Sequence, residues 1–405
     1  MTDPVPLPAG VRDVLPVEAA ELRALGHALA GAFASFGYRE VMTPLIELAD
    51  VLDRAEEEGV GRAYRLFDDE GRVLVLRPDL TIPIARLVAT RMADHPDPVR
   101  VSYNARAVRP PVHGKIEGAE QRQAGIELVG AAGPEADGEV IAALSRALAA
   151  AGVPDARVAV GSVAVVSAVL AGAGADDVTR DALWEALRGR SVVDWRRAAS
   201  GLPLEGDAAA VIADLPALRG GVEVLDAIAA AVPSASDECD RLRAVVDVVV
   251  RHGVAAPMID MGVVRDWAYY SGVVIEAYAA GAMAPVAVGG RYDGLGARFG
   301  RDRAAVGVAV ALDLLHHAVG RGAEQADTGM VLVGGSDDLI AEATALRAQG
   351  VEVVGVPARY EQAGALALAD GRRFVVRRMG DGWSVRDVIS GADEALAALE
   401  GGPWI

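Results

Sequence analysis

A chain of 405 residues with 57 acidic against 39 basic side chains carries a formal net charge of −18. With Lys115 as its one lysine, it offers no basic tail or helix on which DNA or tRNA phosphates would gather. Its longer apolar runs, such as 304–312, fall well short of the ~20 residues that cross a bilayer, and a single cysteine, Cys239, excludes an internal disulfide framework. The opening Met1-Thr2-Asp3-Pro4 has neither the basic stretch nor the apolar core of an export signal, so a cytoplasmic protein without a membrane segment is expected. The length allows one large domain and a smaller one.

Residues 7–16 form an extended lead-in whose prolines disfavour a helix. Leu22, Leu25, Leu29, Ala32, Phe33 and Phe36 then recur at helical spacing, which predicts an amphipathic helix over 17–36, stopped by Gly37. Strands are expected at 38–42 and 73–76, the second entering Arg77-Pro78-Asp79 before a helix at 80–92. Two more strands, 99–105 and 124–129, flank an irregular proline-containing loop, and a helix follows at 135–151. The stretch 162–250 reads as mainly helical, with breaks at 201–203 and Pro216 and a long helix over 237–252. Strand-like chain resumes at 257–261, 273–279 and 285–288, followed by a Gly289-Gly290 turn and an apolar helix at 306–318. From 329 the pattern alternates: strands at 330–333, 351–356 and 373–376, helices at 338–349 and near 361–369. The predicted class is α+β, because the strands of the larger part are separated by loops as often as by helices, which favours antiparallel pairing. The expected division is a core domain over 1–322, with a helical insertion and returning helix over 163–250, and a small α/β domain over 323–405.

Three segments concentrate polar chemistry. Arg77-Pro78-Asp79-Leu80-Thr81 sets a cation, a carboxylate and a hydroxyl at a helix entry; Asp79 or Thr81 is suited either to capping that helix or to holding a ligand ammonium. Arg265 beside Tyr269-Tyr270-Ser271-Gly272 is suited to gripping a carboxylate, or to a tyrosine-flanked salt bridge. Gly289-Gly290-Arg291-Tyr292-Asp293-Gly294-Leu295 is dense enough for a ligand approach or a salt-bridged sheet corner. It is neither a phosphate-binding P-loop nor a dinucleotide fingerprint, so no cofactor is implied. The six histidines never fall at metal-ligand spacing with Cys, Asp or Glu, so no metal is expected.

In this order, the clusters resemble the core of histidyl-tRNA synthetases, a class II aminoacyl-tRNA synthetase fold. Leu7-Pro8-Ala9-Gly10-Val11-Arg12-Asp13 is similar to the family's lead-in, and Phe36-Gly37-Tyr38 with Pro44 to the dimer-forming first class II motif. Arg77, Pro78, Asp79 and Thr81 resemble the amino-acid-binding motif, 103–130 the second class II motif, 265–272 a histidine-specific motif, and 289–295 a glycine-rich signature. The resemblance spans 5–320 and implies an antiparallel sheet flanked by helices. It also implies a histidine pocket from Asp79, Thr81, Arg109, Gln123, Glu127, Arg265, Tyr269 and Tyr270, scaffolded by Arg77, Gly289, Gly290, Arg291, Tyr292, Asp293 and Gly294.

The departures fall on the nucleotide side. After Arg109 stand Pro110-Pro111-Val112, where the synthetases carry a glutamate for adenine. Asp266, Trp267 and Ala268 replace the family's Gly, Leu and Asp. Gly307-Val308-Ala309-Val310-Ala311-Leu312-Asp313-Leu314-Leu315 puts Leu314 where the phosphate-binding arginine belongs. Leucine cannot neutralise phosphate charge, so adenylate formation is expected to be lost while the amino-acid half survives. That mixture resembles the ATP phosphoribosyltransferase regulatory subunits. It implies a non-catalytic role in histidine biosynthesis, a homodimer within a hetero-oligomer with a short catalytic subunit, and feedback control by L-histidine. A functioning histidyl-tRNA synthetase of unusual sequence and an amino-acid sensor of another pathway remain the alternative readings.

Overall fold

In a computed structural model of the chain, the apolar stripe after the lead-in becomes α1 (Pro16–Ser35), burying Leu22, Leu25, Leu29 and Phe33. Gly37, at φ +86°, turns the chain where a Cβ would be strained. The structure describes residues 6–55, 63–111, 118–263, 270–320, 330–333, 337–356, 367, 372–379, 382–396 and 398–399. The chain divides into two compact units, Met1–Arg12 with Leu22–Gly320, and Asp13–Glu21 with Arg321–Ile405. Among the described residues no helix is long and apolar enough to cross a membrane.

In the larger unit, chain order continues with β1 (Arg39–Glu40), β2 (Ile46–Leu48), α2 (Ala49–Ala55), β3 (Arg65–Phe67), β4 (Val73–Leu76), α3 (Thr81–Arg91), β5 (Val99–Val108), β6 (Glu120–Val129), α4 (Pro134–Ala150) and β7 (Arg157–Ser162). The insertion holds α5 (Val163–Gly172), α6 (Asp177–Arg188), α7 (Val192–Ala199), α8 (Gly206–Asp214), β8 (Arg219–Gly220), α9 (Glu223–Ala231) and α10 (Ser236–Arg251). There follow β9 (Met258–Asp260), β10 (Val273–Tyr278), β11 (Ala287–Arg291), β12 (Ala305–Ala311) and α11 (Leu312–Val319). Nine strands form one sheet in the order β1-β5-β6-β12-β11-β10-β7-β9-β8. From β5 to β7 every neighbouring pair is antiparallel. β2, β4 and β3 form a separate three-stranded sheet.

Packing explains where the sequence pattern misleads. The run expected as one helix over 306–318 is a strand followed by a helix, β12 and then α11. β12 lies between β11 and β6 with most of its residues buried on both faces, so it reads as a continuous apolar run in which strand and helix periods cannot be told apart. The glycine pair expected as a turn, Gly289-Gly290, lies inside β11, paired with Val308 and Gly307 of β12. β7 is a further strand, over residues to which, apart from Ser162, the sequence pattern assigns no element. α4 is apolar nearly all round, with Val140, Ile141, Ala142, Ala143, Leu144, Ala147 and Leu148 fully buried, because it packs between the sheet and α10. Cys239 on α10 is buried, and burial pushes its thiol up to about 11. Inside the insertion, fully buried Trp195 donates its indole N–H to the Ile212 carbonyl at 2.7 Å.

In the smaller unit, β13 (Met330–Val333), α12 (Asp337–Ala348), β14 (Val353–Val356), β15 (Phe374–Met379), β16 (Gly382–Asp387) and β17 (Asp393–Leu396) build a sheet ordered β14-β13-β15-β16-β17. Met330, Leu332, Phe374, Val376, Trp383 and Val385 form its core with Ala343 and Leu346 of α12. β16 and β17 extend the sequence-derived α/β pattern by an antiparallel pair. The helix expected near 361–369 lies outside the described residues apart from Ala367.

Candidate functional site

The antiparallel pleat of β5 and β6 sets alternate side chains on one face of the sheet. Tyr103 from β5 and Gln121 and Gln123 from β6 line a cavity of about 110 Å³ there, with Asp79, Leu80 and Thr81 at the start of α3, Arg109 just after β5, and Tyr270. The rest of the lining is largely apolar: residues 284–288, Ala309, Ala311 and Leu314, with Ala311 the cross-strand partner of Gln123.

Asp79 serves two purposes. It is 5% exposed, and its Oδ1 accepts the Ile82 N–H at 2.9 Å, steadying the first turn of α3. Its Oδ2 is buried without a hydrogen-bond partner among the described residues. Burial raises this carboxyl above the ordinary aspartate range, against the pull of the Ile82 amide and Arg109. An unsatisfied buried carboxylate oxygen on a cavity wall is a costly arrangement unless a ligand donor meets it. Arg109 donates Nε–H to the Pro78 carbonyl, which fixes the guanidinium at the rim.

Glu127 lies behind this wall, 1% exposed. Thr81 Oγ1–H donates to its Oε1 at 3.0 Å, and the Tyr292 hydroxyl donates to its Oε2. Burial pushes the carboxyl up to about 7, partly offset by these two donors. The space for it comes from the facing strand: a Cβ on Gly307, its partner across β6 and β12, would lie 1.6 Å from Oε2. Gly289 is equally constrained, since a Cβ there would meet the Gly307 carbonyl at 2.2 Å. These glycines are needed for close approach.

The remaining predicted residues separate cleanly. Gly289 and Tyr292 line the cavity, and a Cβ on Gly290 would press at 3.0 Å on the Tyr270 ring. Arg291, 7% exposed, donates to Asp137 at 2.9 Å through Nε and to Asp293 at 2.8 Å through Nη1. Asp293 also accepts from the Ala305 amide at 2.9 Å. Arg291 and Asp293 thus form the salt-bridged sheet corner, outside the cavity lining, and Gly294 is likewise off the lining. Arg77 is a clamp: Nε donates to the Arg106 carbonyl at 2.9 Å and Nη1 to the Thr43 carbonyl at 2.7 Å. Arg265 and Tyr269 lie outside the described residues, as do 266–268. Tyr103 and Gln121 escaped the sequence reading, although Gln121 stands one pleat period before Gln123 and could have been found from it.

The histidyl-tRNA synthetase family profile matches residues 10–315. An ATP phosphoribosyltransferase regulatory subunit of Moorella thermoacetica is 39% identical over 378 residues, covering 91% of this chain and 97% of that protein. One from Symbiobacterium thermophilum is 39% identical over 387 residues, 92% of this chain and 96% of the relative. A crystal structure from Bacillus halodurans C, described as an ATP phosphoribosyltransferase regulatory subunit/histidyl-tRNA synthetase, superposes with a TM-score of 0.82 at 29% identity, covering 94% of this chain and 100% of that one. The fold is thus the class II synthetase-like α+β architecture, and the chain belongs to the ATP phosphoribosyltransferase regulatory subunit family.

Proposed function

We propose that this chain is a non-catalytic regulatory subunit that assembles with a short ATP phosphoribosyltransferase catalytic chain, and that its cavity takes free L-histidine as the feedback signal. The supporting observation is the division of the cavity into a polar half and an apolar half. Asp79 offers a buried carboxylate oxygen to an ammonium, and Arg109, Gln121, Gln123 and Thr81 surround it with polar groups. Leu314 is part of the apolar lining, and Arg109 is the one cation among the described lining residues. A triphosphate needs several positive groups along its length, so the cavity suits an amino acid better than a nucleotide. The names of the relatives favour the regulatory reading over an active synthetase. In this reading Arg265 and Tyr269 complete the carboxylate side, and the core over 1–322 carries the ligand while 323–405 is a separate module.

A homodimer has its own support. On the outer face of the three-stranded sheet stand Ile46, Leu48, Tyr64 and Leu66, each between 37% and 47% exposed, with Leu74 and Leu76 beside them on β4. Contiguous aliphatic surface of this kind marks an interface, and it follows directly on the segment that resembles the dimer-forming motif. Co-purification with a short catalytic subunit, with transferase activity measured with and without histidine, tests the assignment. Activation by this chain and histidine-dependent inhibition are expected. Histidine-dependent ATP–pyrophosphate exchange by this chain alone would refute the non-catalytic reading, and a partner whose activity ignores this chain would refute the regulatory one.

A further inference from the structure

The helical insertion is fastened to the sheet by a polar device away from the ligand cavity. α6 ends in a Schellman turn: Arg190 N–H donates to the Leu187 carbonyl at 3.1 Å and Ser191 N–H to the Ala186 carbonyl at 2.9 Å. This sets Arg190 at φ +52°, the one non-glycine residue at positive φ among those described. Such a position favours glycine, yet Gly189 stands one residue earlier and an arginine occupies it. Its guanidinium reaches Glu276 Oε1 on β10 at 2.8 Å. Glu276 is fully buried, and its Oε2 accepts from the Tyr278 hydroxyl.

A second pair lies beside the first. Arg219 of β8 holds Asp260 of β9 at 2.9 Å, and Asp260 also accepts the Gly262 amide at 2.9 Å. All five side chains, Arg190, Arg219, Asp260, Glu276 and Tyr278, line one cavity of about 80 Å³. The carboxylates are buried on β10 and β9; Arg190 comes from the turn between α6 and α7 and Arg219 from the edge strand β8, where it is the cross-strand partner of Asp260, and the two arginines are 52% and 60% exposed. The guanidinium end of each pair is the one open to water and salt, so either arginine side chain can disengage while its carboxylate stays buried.

This cavity and the ligand cavity have no described lining residue in common, but one packed cluster and one strand pairing connect them. Tyr278 packs against a small cluster of Ala159, Val263 and Val274, and Tyr270 packs against the same cluster. Glu276 is also the direct cross-strand partner of Val288, which lines the ligand cavity with Tyr270. We propose that Arg190–Glu276 and Arg219–Asp260 form a latch that seats the insertion, and that these four are positioning residues whose engagement holds the Tyr270 and Val288 wall and so sets affinity for the amino acid. The inference rests on the reading that the cavity takes a free amino acid.

The test uses the full chain with Arg190→Gly, which keeps a residue suited to positive φ while removing the guanidinium, and Arg219→Gln as a second variant. Hydrogen–deuterium exchange without ligand is followed in peptides from 177–200 and 270–289, and L-histidine binding by calorimetry. Both variants are expected to exchange faster in both regions and to bind L-histidine about 10-fold more weakly, with Arg190→Lys recovering most of the affinity. Faster exchange confined to 177–200, or no change in either region, overturns the latch as a positioning device. So does unchanged histidine affinity alongside a loosened wall. A wild-type chain that does not bind L-histidine defeats the amino-acid reading instead, and exchange over 270–289 still decides whether the latch holds that wall.

Discussion

Replacing Glu127 by Gln tests the electrostatics of the site without ligand or partner. The carboxyl is 1% exposed, and burial lifts it from its ordinary 4.5 to about 7. At roughly 1.4 kcal/mol for each tenfold change in proton affinity, this corresponds to about 3 kcal/mol. Below the unfolded value, Glu127 is protonated in both states and contributes no pH dependence. Between 4.5 and about 7 the folded chain keeps a proton that the unfolded chain has released, so stability falls as pH rises through this window. Above it, both states are ionised and the full penalty of a buried carboxylate remains. Glutamine keeps the shape and an acceptor for Thr81 but cannot ionise. The difference in unfolding free energy between Glu127→Gln and the wild type is therefore expected to move in the variant's favour by about 3 kcal/mol between pH 4.5 and pH 8. Urea denaturation at four pH values across that range measures it. Parallel stability curves would refute the reasoning, because they would show that Glu127 binds its proton no more tightly in the folded chain than in the unfolded one.

Asp79→Asn retains an acceptor for the Ile82 amide, at 2.9 Å in the wild type, but removes the charge. L-histidine affinity is expected to fall ten- to a hundredfold, the worth of a charge-assisted hydrogen bond of about 1.5–3 kcal/mol, and an unchanged calorimetric Kd would show that the ammonium contact is misassigned. Because burial raises Asp79 above the ordinary aspartate range, affinity for the cationic ammonium is also expected to climb as rising pH ionises this carboxyl and then to level off; a flat profile would count against a carboxylate contact. Gly307→Ala drives a Cβ to 1.6 Å from Glu127 Oε2, so thermal unfolding should report a loss of about 1–3 kcal/mol, and a variant as stable as the parent would mean that the strands can separate there. Ile46→Glu on the outer face of the three-stranded sheet, 47% exposed in the single chain, is expected to produce a monomer in sedimentation velocity, and a persisting dimer would place the interface elsewhere.

What could be read from the sequence tracks how locally each feature is determined. α1 and α10 are legible because each buries one stripe and exposes the other, as at Leu22, Leu25, Leu29 and Phe33. β12 is illegible because neighbouring strands bury it from both edges and its two faces are equally apolar. β2 and β3 fail for a different reason: each is only three residues long, and in β2 the alternation is inverted, with Ile46 and Leu48 exposed and Glu47 buried. In the site, Asp79, Thr81 and Gln123 could be found because each sits in a short polar motif. Arg291 and Asp293 share a motif with Tyr292, and only the fold separates the corner from the cavity wall. Arg190 and Glu276 lie 86 positions apart; nothing near either residue signals the other.

Feedback through this cavity requires that histidine bind one arrangement of the chain more tightly than another, since a ligand with equal affinity for two states shifts neither. The polar half is a poor source of such a difference. Asp79 is tied to the α3 amide, Arg109 to the Pro78 carbonyl, and Glu127 to Thr81 and Tyr292, so each is held by bonds that do not involve the insertion. The wall of Tyr270 and Val288 differs, because it backs onto the strand that carries Glu276 and onto the cluster shared with Tyr278. A tenfold preference amounts to only about 1.4 kcal/mol, well within what the seating of two half-exposed arginines on buried carboxylates can shift. In the proposed scheme the polar half sets which ligand is recognised, and the insertion side sets how tightly it is held in each state. A catalytic partner that favours the unseated insertion would then oppose histidine, and histidine would by the same coupling oppose that partner-bound state.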